Sequence, residues 1–406
     1  MVLLAVVLVA ACWLPPVSVA TTSTTDPSGI TTSPSQSPPP TVGTAVKLPP
    51  APEITGSAGI LINMDDGRVL FEKNPDERRA MASTTKIMTA LLAIENLDPR
   101  STVTASKLAT DAGESEMLLE PGEEVIVEEL LYGIMVMSGN DAAMVAAEAV
   151  AGDVASFVEM MNARAVEMGL KGTSFANPHG LDANGHYSTA RDLAVLAAHA
   201  MKNPEFAKLA ATARIEFPWP GRDVKRVMIN HNKLVGKVPY VTGVKTGFTN
   251  KAGFCLVGSG SRGGVNLVSV VLGTQSADIC AEDTTRLLEY GFSLYRQQVL
   301  IEAGTVLAEI PIPYQIHEKL QLVTQRELVR TLHITDTVSK SIEVPKMSPI
   351  PVSSGAALGK IAFTVGDTSV GSVDLVAARE IPRPTLGVKL AYFWSRFSGW
   401  LGGLFS

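Results

Sequence analysis

The chain has 406 residues, 46% of them hydrophobic and 18% charged, enough to bury a substantial core and to divide into two domains with tails besides. A formal net charge of −6, with no stretch that concentrates Lys and Arg among aromatics, excludes an overall basic surface of the kind that binds nucleic acid.

Residues 1–20, MVLLAVVLVAACWLPPVSVA, form an apolar run too short to span a bilayer comfortably and end in small residues suited to a signal peptidase. This reads as an export signal, although no Lys or Arg precedes Lys47. Val9-Ala10-Ala11-Cys12 also resembles a lipobox, in which Cys12 would carry lipid; cleavage after Ser18-Val19-Ala20 would instead discard that cysteine. Residues 21–51 are rich in Thr, Ser and Pro, and such a composition buries too little apolar surface to offset its ordering entropy, so it reads as a disordered tether.

The next stretch, AGILINMDDGRVLFEKNP, sets two apolar runs about Asp65-Asp66-Gly67 and predicts a β-hairpin. MASTTKIMTALLAIENL predicts a helix opening near Ser83, with Lys86 three positions on and therefore on the same face. Helices are predicted over 126–137 and 141–151, broken at Ser138-Gly139-Asn140, then over 154–169 and 189–202. The last has Ser188 or Thr189 as its cap and Asp192 at capping-box spacing. After Tyr240 the period shortens, and VTGVKTG, GFCLVGSG and VNLVSVVLGT read as strands before a closing helix, CAEDTTRLLEYGFSLYRQ. Hairpin, helices, strands and helix imply an α+β domain over 52–297, an antiparallel sheet with helices packed on it. Cys255 and Cys280 carry no metal-ligand spacing; they read either as a pair or as two small apolar fillers.

Short β-rich runs from Val299 to about Pro382 suggest a small all-β domain over 298–384, a spacer or docking module with no catalytic constellation. On a helical wheel the tail, residues 385–406, gathers Phe393, Trp394, Phe397, Trp400, Leu401, Leu404 and Phe405 on one side, with Lys389, Arg396, Ser395, Ser406 and three glycines on the other. This predicts an amphipathic helix lying in a membrane surface, the alternative being a helix docked on the β domain.

Three short segments carry the chemistry. Alone, Ser83 is an N-terminal cap, Lys86 a surface lysine and Ser138-Gly139-Asn140 an ordinary turn. Lys245 is harder to explain as structure, since a lysine among apolar strand residues belongs at an edge or in a site. In this order, Ser-x-x-Lys, Ser-x-Asn and Lys-Thr-Gly form the signature shared by penicillin-binding proteins and class A β-lactamases. A serine hydroxyl needs a base, and a lysine serves only if desolvation or nearby positive charge lowers its pKa. His179, with His186 and Asp182 near it, matches no zinc spacing, and its loop reads as held by hydrogen bonds.

With MASTTKIMTALLAIE, LLYGIMVMSGNDAAMVAAE, FANPHGLDANGHYSTARDLA and YVTGVKTGFTNKAGFCLV, the chain resembles the low-molecular-mass penicillin-binding proteins of the serine D-Ala-D-Ala carboxypeptidase family, peptidase family S11. The resemblance implies a β-lactamase/transpeptidase-like domain and removal of terminal D-alanine from peptidoglycan stem peptides through an acyl-enzyme. It also implies inhibition by β-lactams, no cofactor or metal, and a place on the outer face of the bacterial cytoplasmic membrane. It assigns Ser83 as nucleophile, Lys86 as base, Ser138 as the relay of a proton between Lys86 and the leaving D-alanine amine, and Asn140 as a clamp on Lys86 and the substrate amide. Lys245 and Thr246 would bind the substrate carboxylate, and the N–H of Phe248 would join that of Ser83 in an oxyanion hole. Gly247 is expected to be small so that the strand edge admits substrate backbone.

No Glu-x-x-Leu-Asn segment follows Asn140, so β-lactams are expected to inhibit rather than be destroyed. GESEM (113–117) and NHN (230–232) depart from the family pattern and are expected near the cleft. A D,D-endopeptidase of the same fold, a class A-like β-lactamase and a non-catalytic peptidoglycan-binding protein are the alternatives.

Overall fold

A computed structural model describes residues 47–402. The leader, Cys12, nearly all of the 21–51 tether, and Leu404, Phe405 and Ser406 lie outside the described residues.

The hairpin forms at Asp65-Asp66-Gly67, joining β1 (Ala58–Asn63) to β2 (Val69–Lys73). A 3-10 turn, Ala82–Thr85, feeds directly into α1 (Lys86–Asn96). A small hairpin of β3 (Thr102–Thr104) and β4 (Glu124–Ile126), with α2 (Lys107–Thr110) between its strands, has no clear periodicity in the sequence. The predicted helices follow as α3 (Val127–Met135), α4 (Asn140–Ala151), α5 (Val154–Glu167) and α6 (Ala190–Ala200). Next come α7 (Pro204–Ala210) and a hairpin of β5 (Arg214–Pro218) and β6 (Lys225–Ile229). The domain closes with β7 (Val241–Thr249), β8 (Gly253–Arg262), β9 (Val265–Thr274) and α8 (Ala277–Ser293).

Thr189 caps α6 by accepting from the Asp192 N–H, but the Asp192 carboxylate does not complete a capping box. It accepts instead from the Gly172 N–H and the Thr173 hydroxyl, both at 2.7 Å, and so ties the preceding loop to the helix.

The sheet runs β2-β1-β9-β8-β7, antiparallel throughout. Ile60, Val257, Val268 and Val270 join the core under α1, α4 and α6, whereas their neighbours Leu61, Leu256, Leu267 and Val271 join Leu287, Leu288 and Phe292 of α8. Helices cover both faces, which is why the central strands read as continuous apolar runs. The two cysteines are free thiols. Cys255 belongs to the core on one side of the sheet and Cys280 to the core on the other. Burial pushes their pKa values up to about 11 and about 12, so they serve as apolar fillers. β7 pairs only with β8, and its free edge borders the cleft described below.

The C-terminal part is all-β. β10 (Tyr295–Ile301) pairs with β13 (Leu328–His333). β11 (Val306–Pro311), β12 (Lys319–Thr324), β14 (Val338–Glu343), β15 (Ala357–Val365) and β16 (Thr368–Ala377) form an antiparallel sheet of order β11-β12-β16-β15-β14 over a core of Leu320, Leu322, Ile361, Phe363 and Leu375. It meets the first hairpin through Asn63, whose amide donates to the Tyr295 hydroxyl at 2.8 Å, and through an Arg68–Asp336 ion pair at 2.9 Å. α9 (Leu386–Gly402) follows; Lys389 lies over the Tyr314 ring, and Tyr392 meets it edge-on, while Leu390, Phe393, Trp394, Phe397 and Trp400 stay exposed. No helix among the described residues is long and apolar enough to cross a membrane.

Candidate active site

Ser83 sits in the 3-10 turn, and Lys86 is the first residue of α1. The turn is tightened by its own hydroxyls: Thr84 Oγ1 donates to the Met81 carbonyl at 2.6 Å and Thr85 Oγ1 to the Ala82 carbonyl at 2.8 Å. Ala82 enters it at φ +48, a left-handed conformation that costs a residue with a Cβ about 1–3 kcal/mol. Two glycines make room for this turn. A Cβ on Gly180 (φ +100) would meet the Ala82 carbonyl oxygen at 2.0 Å, and one on Gly247 would meet the Ser83 nitrogen at 2.9 Å and the Met81 oxygen at 3.1 Å. Gly247 thus has a second reason to be small beside the expected one: the backbone carrying Ser83 packs where a Cβ would be.

Lys86 is fully buried, and its Nζ has three neighbours: Ser83 Oγ at 3.0 Å, Asn140 Oδ1 at 2.7 Å and the His179 carbonyl at 2.6 Å. Burial and the Lys245 charge hold its pKa well below the ordinary lysine value, while Asp141 and Glu114 oppose the shift. In the neutral amine the two N–H bonds satisfy the two carbonyl oxygens, which leaves the lone pair facing the Ser83 hydroxyl. A charged ammonium would donate to all three, whereas a neutral amine could accept the Ser83 proton.

Ser138 occupies the turn before α4 at φ +63. Its Oγ accepts from Lys245 Nζ at 2.9 Å, and that ammonium also donates to the Thr246 carbonyl at 3.1 Å. The expected relay between Ser138 and Lys86 is therefore not a direct contact here, because Lys86 Nζ is already occupied by Asn140 and His179. Lys245 is buried, and burial lowers its pKa to about 7. It lies behind Ser138, so Thr246, rather than Lys245, faces open space. Asn140 holds Lys86 through Oδ1 and donates from Nδ2 to the Gly113 carbonyl at 2.8 Å, leaving one of its two amide protons for other partners. Phe248 is half exposed on the edge strand beside Phe254, their ring centroids 4.3 Å apart.

These side chains surround a cleft of about 250 Å³ lined by Ser83, Ser138, Asn140, Thr246, Gly247 and Phe248, with Lys86 and Lys245 behind it. Glu114 and Ser115 of GESEM and His231 of NHN also line it, as their departure from the family pattern led one to expect. The Ser115 carbonyl accepts from the Asn140 N–H at 2.7 Å, and the Asp141 carboxylate accepts from the Met117 and Leu119 N–H groups. The 113–119 loop is thus bound to the start of α4. His179 and His186 act as fixed struts. His179 Nδ1 accepts from the Leu181 N–H, and His186 accepts from the Ala176 N–H while its Nε2 lies 2.8 Å from Thr85 Oγ1. Burial lowers their pKa values to about 3 and about 4. Sequence reasoning missed the His179 carbonyl and the loop carbonyls because backbone oxygens carry no residue signature.

A hydroxyl facing a buried lysine of lowered pKa, beside a second buried lysine and an edge strand, has the geometry of an acyl-transfer serine site. Residues 45–276 match the family model described as D-alanyl-D-alanine carboxypeptidase, and residues 295–383 match that described as penicillin-binding protein 5, C-terminal domain; the chain belongs to the D-alanyl-D-alanine carboxypeptidase family. It is 36% identical over 331 residues to D-alanyl-D-alanine carboxypeptidase DacF of Bacillus subtilis, an alignment spanning 80% of this chain and 85% of the relative. The crystal structure of penicillin-binding protein 5 from Haemophilus influenzae, 30% identical, superposes with a TM-score of 0.60 over 83% of this chain and all of the other. The Streptomyces K15 DD-transpeptidase, 34% identical, does so with a TM-score of 0.57 over 60% of this chain and all of the other.

Proposed function

We propose that this chain is a serine-type D-Ala-D-Ala carboxypeptidase of peptidoglycan metabolism, inhibited by β-lactams. The observation that carries the reading is the Lys86 amine, whose two carbonyl acceptors leave its lone pair for the Ser83 proton. Ser83 Oγ attacks the carbonyl of the penultimate D-alanine while Lys86 takes its proton. The N–H groups of Ser83 and Phe248 stabilise the oxyanion, each such donor contributing about 3 kcal/mol. Thr246, with Lys245 behind it, holds the terminal carboxylate and so selects an exopeptidase register. Ser138 delivers its hydroxyl proton to the departing amine nitrogen and is reprotonated by the Lys245 ammonium that donates to it. Water then attacks the acyl-enzyme ester, its proton restoring the Ser138–Lys245 pair, while Lys86 returns its proton to the Ser83 oxygen as that leaves, and the shortened peptide is freed.

The same reading assigns residues 1–20 to an export signal, 21–51 to a tether, 52–297 to catalysis, 298–384 to a spacer and 385–406 to a membrane-surface helix on the outer face of the cytoplasmic membrane. The exposed aromatic face of α9, with Lys389 and Arg396 beside it, supports the last assignment. Release of D-alanine from a pentapeptide by wild type and Ser83→Ala tests the enzyme: the variant should remain folded and release none. D-alanine release by folded Ser83→Ala would sink the assignment.

A further inference from the structure

The cleft does not end at Thr246. Along β7, Lys245 and Thr249 are buried and Gly247 packs on the 3-10 turn, so Thr246 and Phe248 point to the opposite face of the strand, the side that α8 covers. Directly across the ladder, Leu256 sits opposite Thr246 and Phe254 opposite Phe248. The first turns of α8 complete a side chamber with Ala277, Cys280 and Ala281, small residues that line the cavity rather than fill it. A Lys233–Asp278 ion pair at 2.9 Å marks the rim. Ser83 and Ala281 line one and the same cavity, so the chamber is continuous with the nucleophile.

We infer that this chamber is a subsite for an apolar side chain on the terminal D-residue of the substrate, so that the enzyme releases D-leucine and D-phenylalanine as well as D-alanine. The inference rests on Thr246 holding the terminal carboxylate. A residue held there has no room on the side of Lys245 and Ser138, which are buried and bonded to each other. Its side chain is directed toward α8, where Phe248, Phe254, Leu256, Ala277 and Ala281 offer apolar contact. A smaller side chain meets no clash in an open chamber, and the carboxylate contact at Thr246 is common to all D-residues, so D-alanine stays a substrate.

The test is kcat/KM for N-acetyl-L-Lys-D-Ala-D-X peptides, where X is Ala, Leu or Phe, with wild type and with Ala281→Leu and Ala277→Leu, which fill the chamber from two positions. Wild type should release D-leucine within about tenfold of D-alanine. At least one filled variant should lose about tenfold or more on D-leucine and D-phenylalanine, with D-alanine release changed less than about threefold. Release of D-alanine without D-leucine by wild type overturns the subsite and leaves the carboxypeptidase reading intact. So does an equal change on all three peptides in both variants, or none. Absence of D-alanine release by wild type overturns the carboxypeptidase reading, and the subsite with it.

Discussion

Alanine at position 247 places a methyl group 2.9 Å from the Ser83 nitrogen, 3.0 Å from the Ala82 Cβ and 3.1 Å from the Met81 oxygen. Ordinary contacts of this kind begin near about 3.5 Å, so the 3-10 turn has to retreat by about half an ångström from the strand. None of the three atoms is the free end of a flexible side chain, and the turn is held from behind by Gly180, whose own clearance to the Ala82 carbonyl is nil. Overpacking of this size costs about 1–3 kcal/mol of stability. The functional loss is larger in proportion, because a shift approaching 1 Å between reacting groups costs about a hundredfold in rate. Gly247→Ala should therefore fold with a lowered urea midpoint and be acylated by a fluorescent penicillin ten- to a hundredfold more slowly, about 1.4–2.7 kcal/mol in barrier. Stopped-flow acylation beside equilibrium denaturation separates the two effects. Wild-type acylation in a stably folded Gly247→Ala would show that the glycine does not seat the turn.

Lys86→Met, nearly isosteric, should remain folded and lose acylation by at least about a hundredfold, the usual contribution of a general base; acylation at the wild-type rate refutes Lys86 as the base. Lys245 titrates near 10.5 when unfolded and about 7 in the fold, so between those values the unfolded chain binds more protons and folding stability rises with pH, by at most about 1.4 kcal/mol per unit for this group. Urea denaturation at pH 7, 8 and 9 should show a steeper rise for wild type than for Lys245→Met, and identical slopes would contradict a depressed lysine. Buried neutral His186, at about 4 against an ordinary 6.5, has the same sign lower down: stability is lost as pH falls through that window, and His186→Gln should weaken the loss measured by fluorescence. Arg226, buried between Glu123 at 2.7 Å and Glu129 at 2.8 Å and donating to the Leu118 carbonyl, braces the cleft loop. Glu129→Leu leaves that cation short of a partner and should cost about 3 kcal/mol by urea denaturation; a loss below 1 kcal/mol, on the order of a surface pair, argues against the brace.

Much of the fold was legible because its signals are local. Asp65-Asp66-Gly67 marked the first hairpin, and the change of period after Tyr240 separated helices from strands. The motif residues were legible as types at fixed spacings, and a lysine on an apolar strand could only be at an edge or in a site. Pairing within the site was less legible. Spacing alone does not say which lysine Ser138 touches; that depends on how far Ser138, at φ +63, leans toward β7, and on Asn140 and the His179 carbonyl having already filled the coordination of Lys86. Gly247 shows the same limit: its smallness was visible, but the atom that requires it belongs to a turn more than 160 residues earlier. The β3–β4 and β5–β6 hairpins went unread because their strands are short or half exposed and their apolar residues do not alternate over a long enough run.

The central claim is that Ser83 is the nucleophile prepared by Lys86. Intact-protein mass spectrometry after exposure to benzylpenicillin, followed by peptide mapping of the adduct, tests it directly. A single stable adduct on the peptide carrying Ser83, absent from folded Ser83→Ala, is the predicted result. An adduct mapped to another residue, or one that persists in Ser83→Ala, would contradict it.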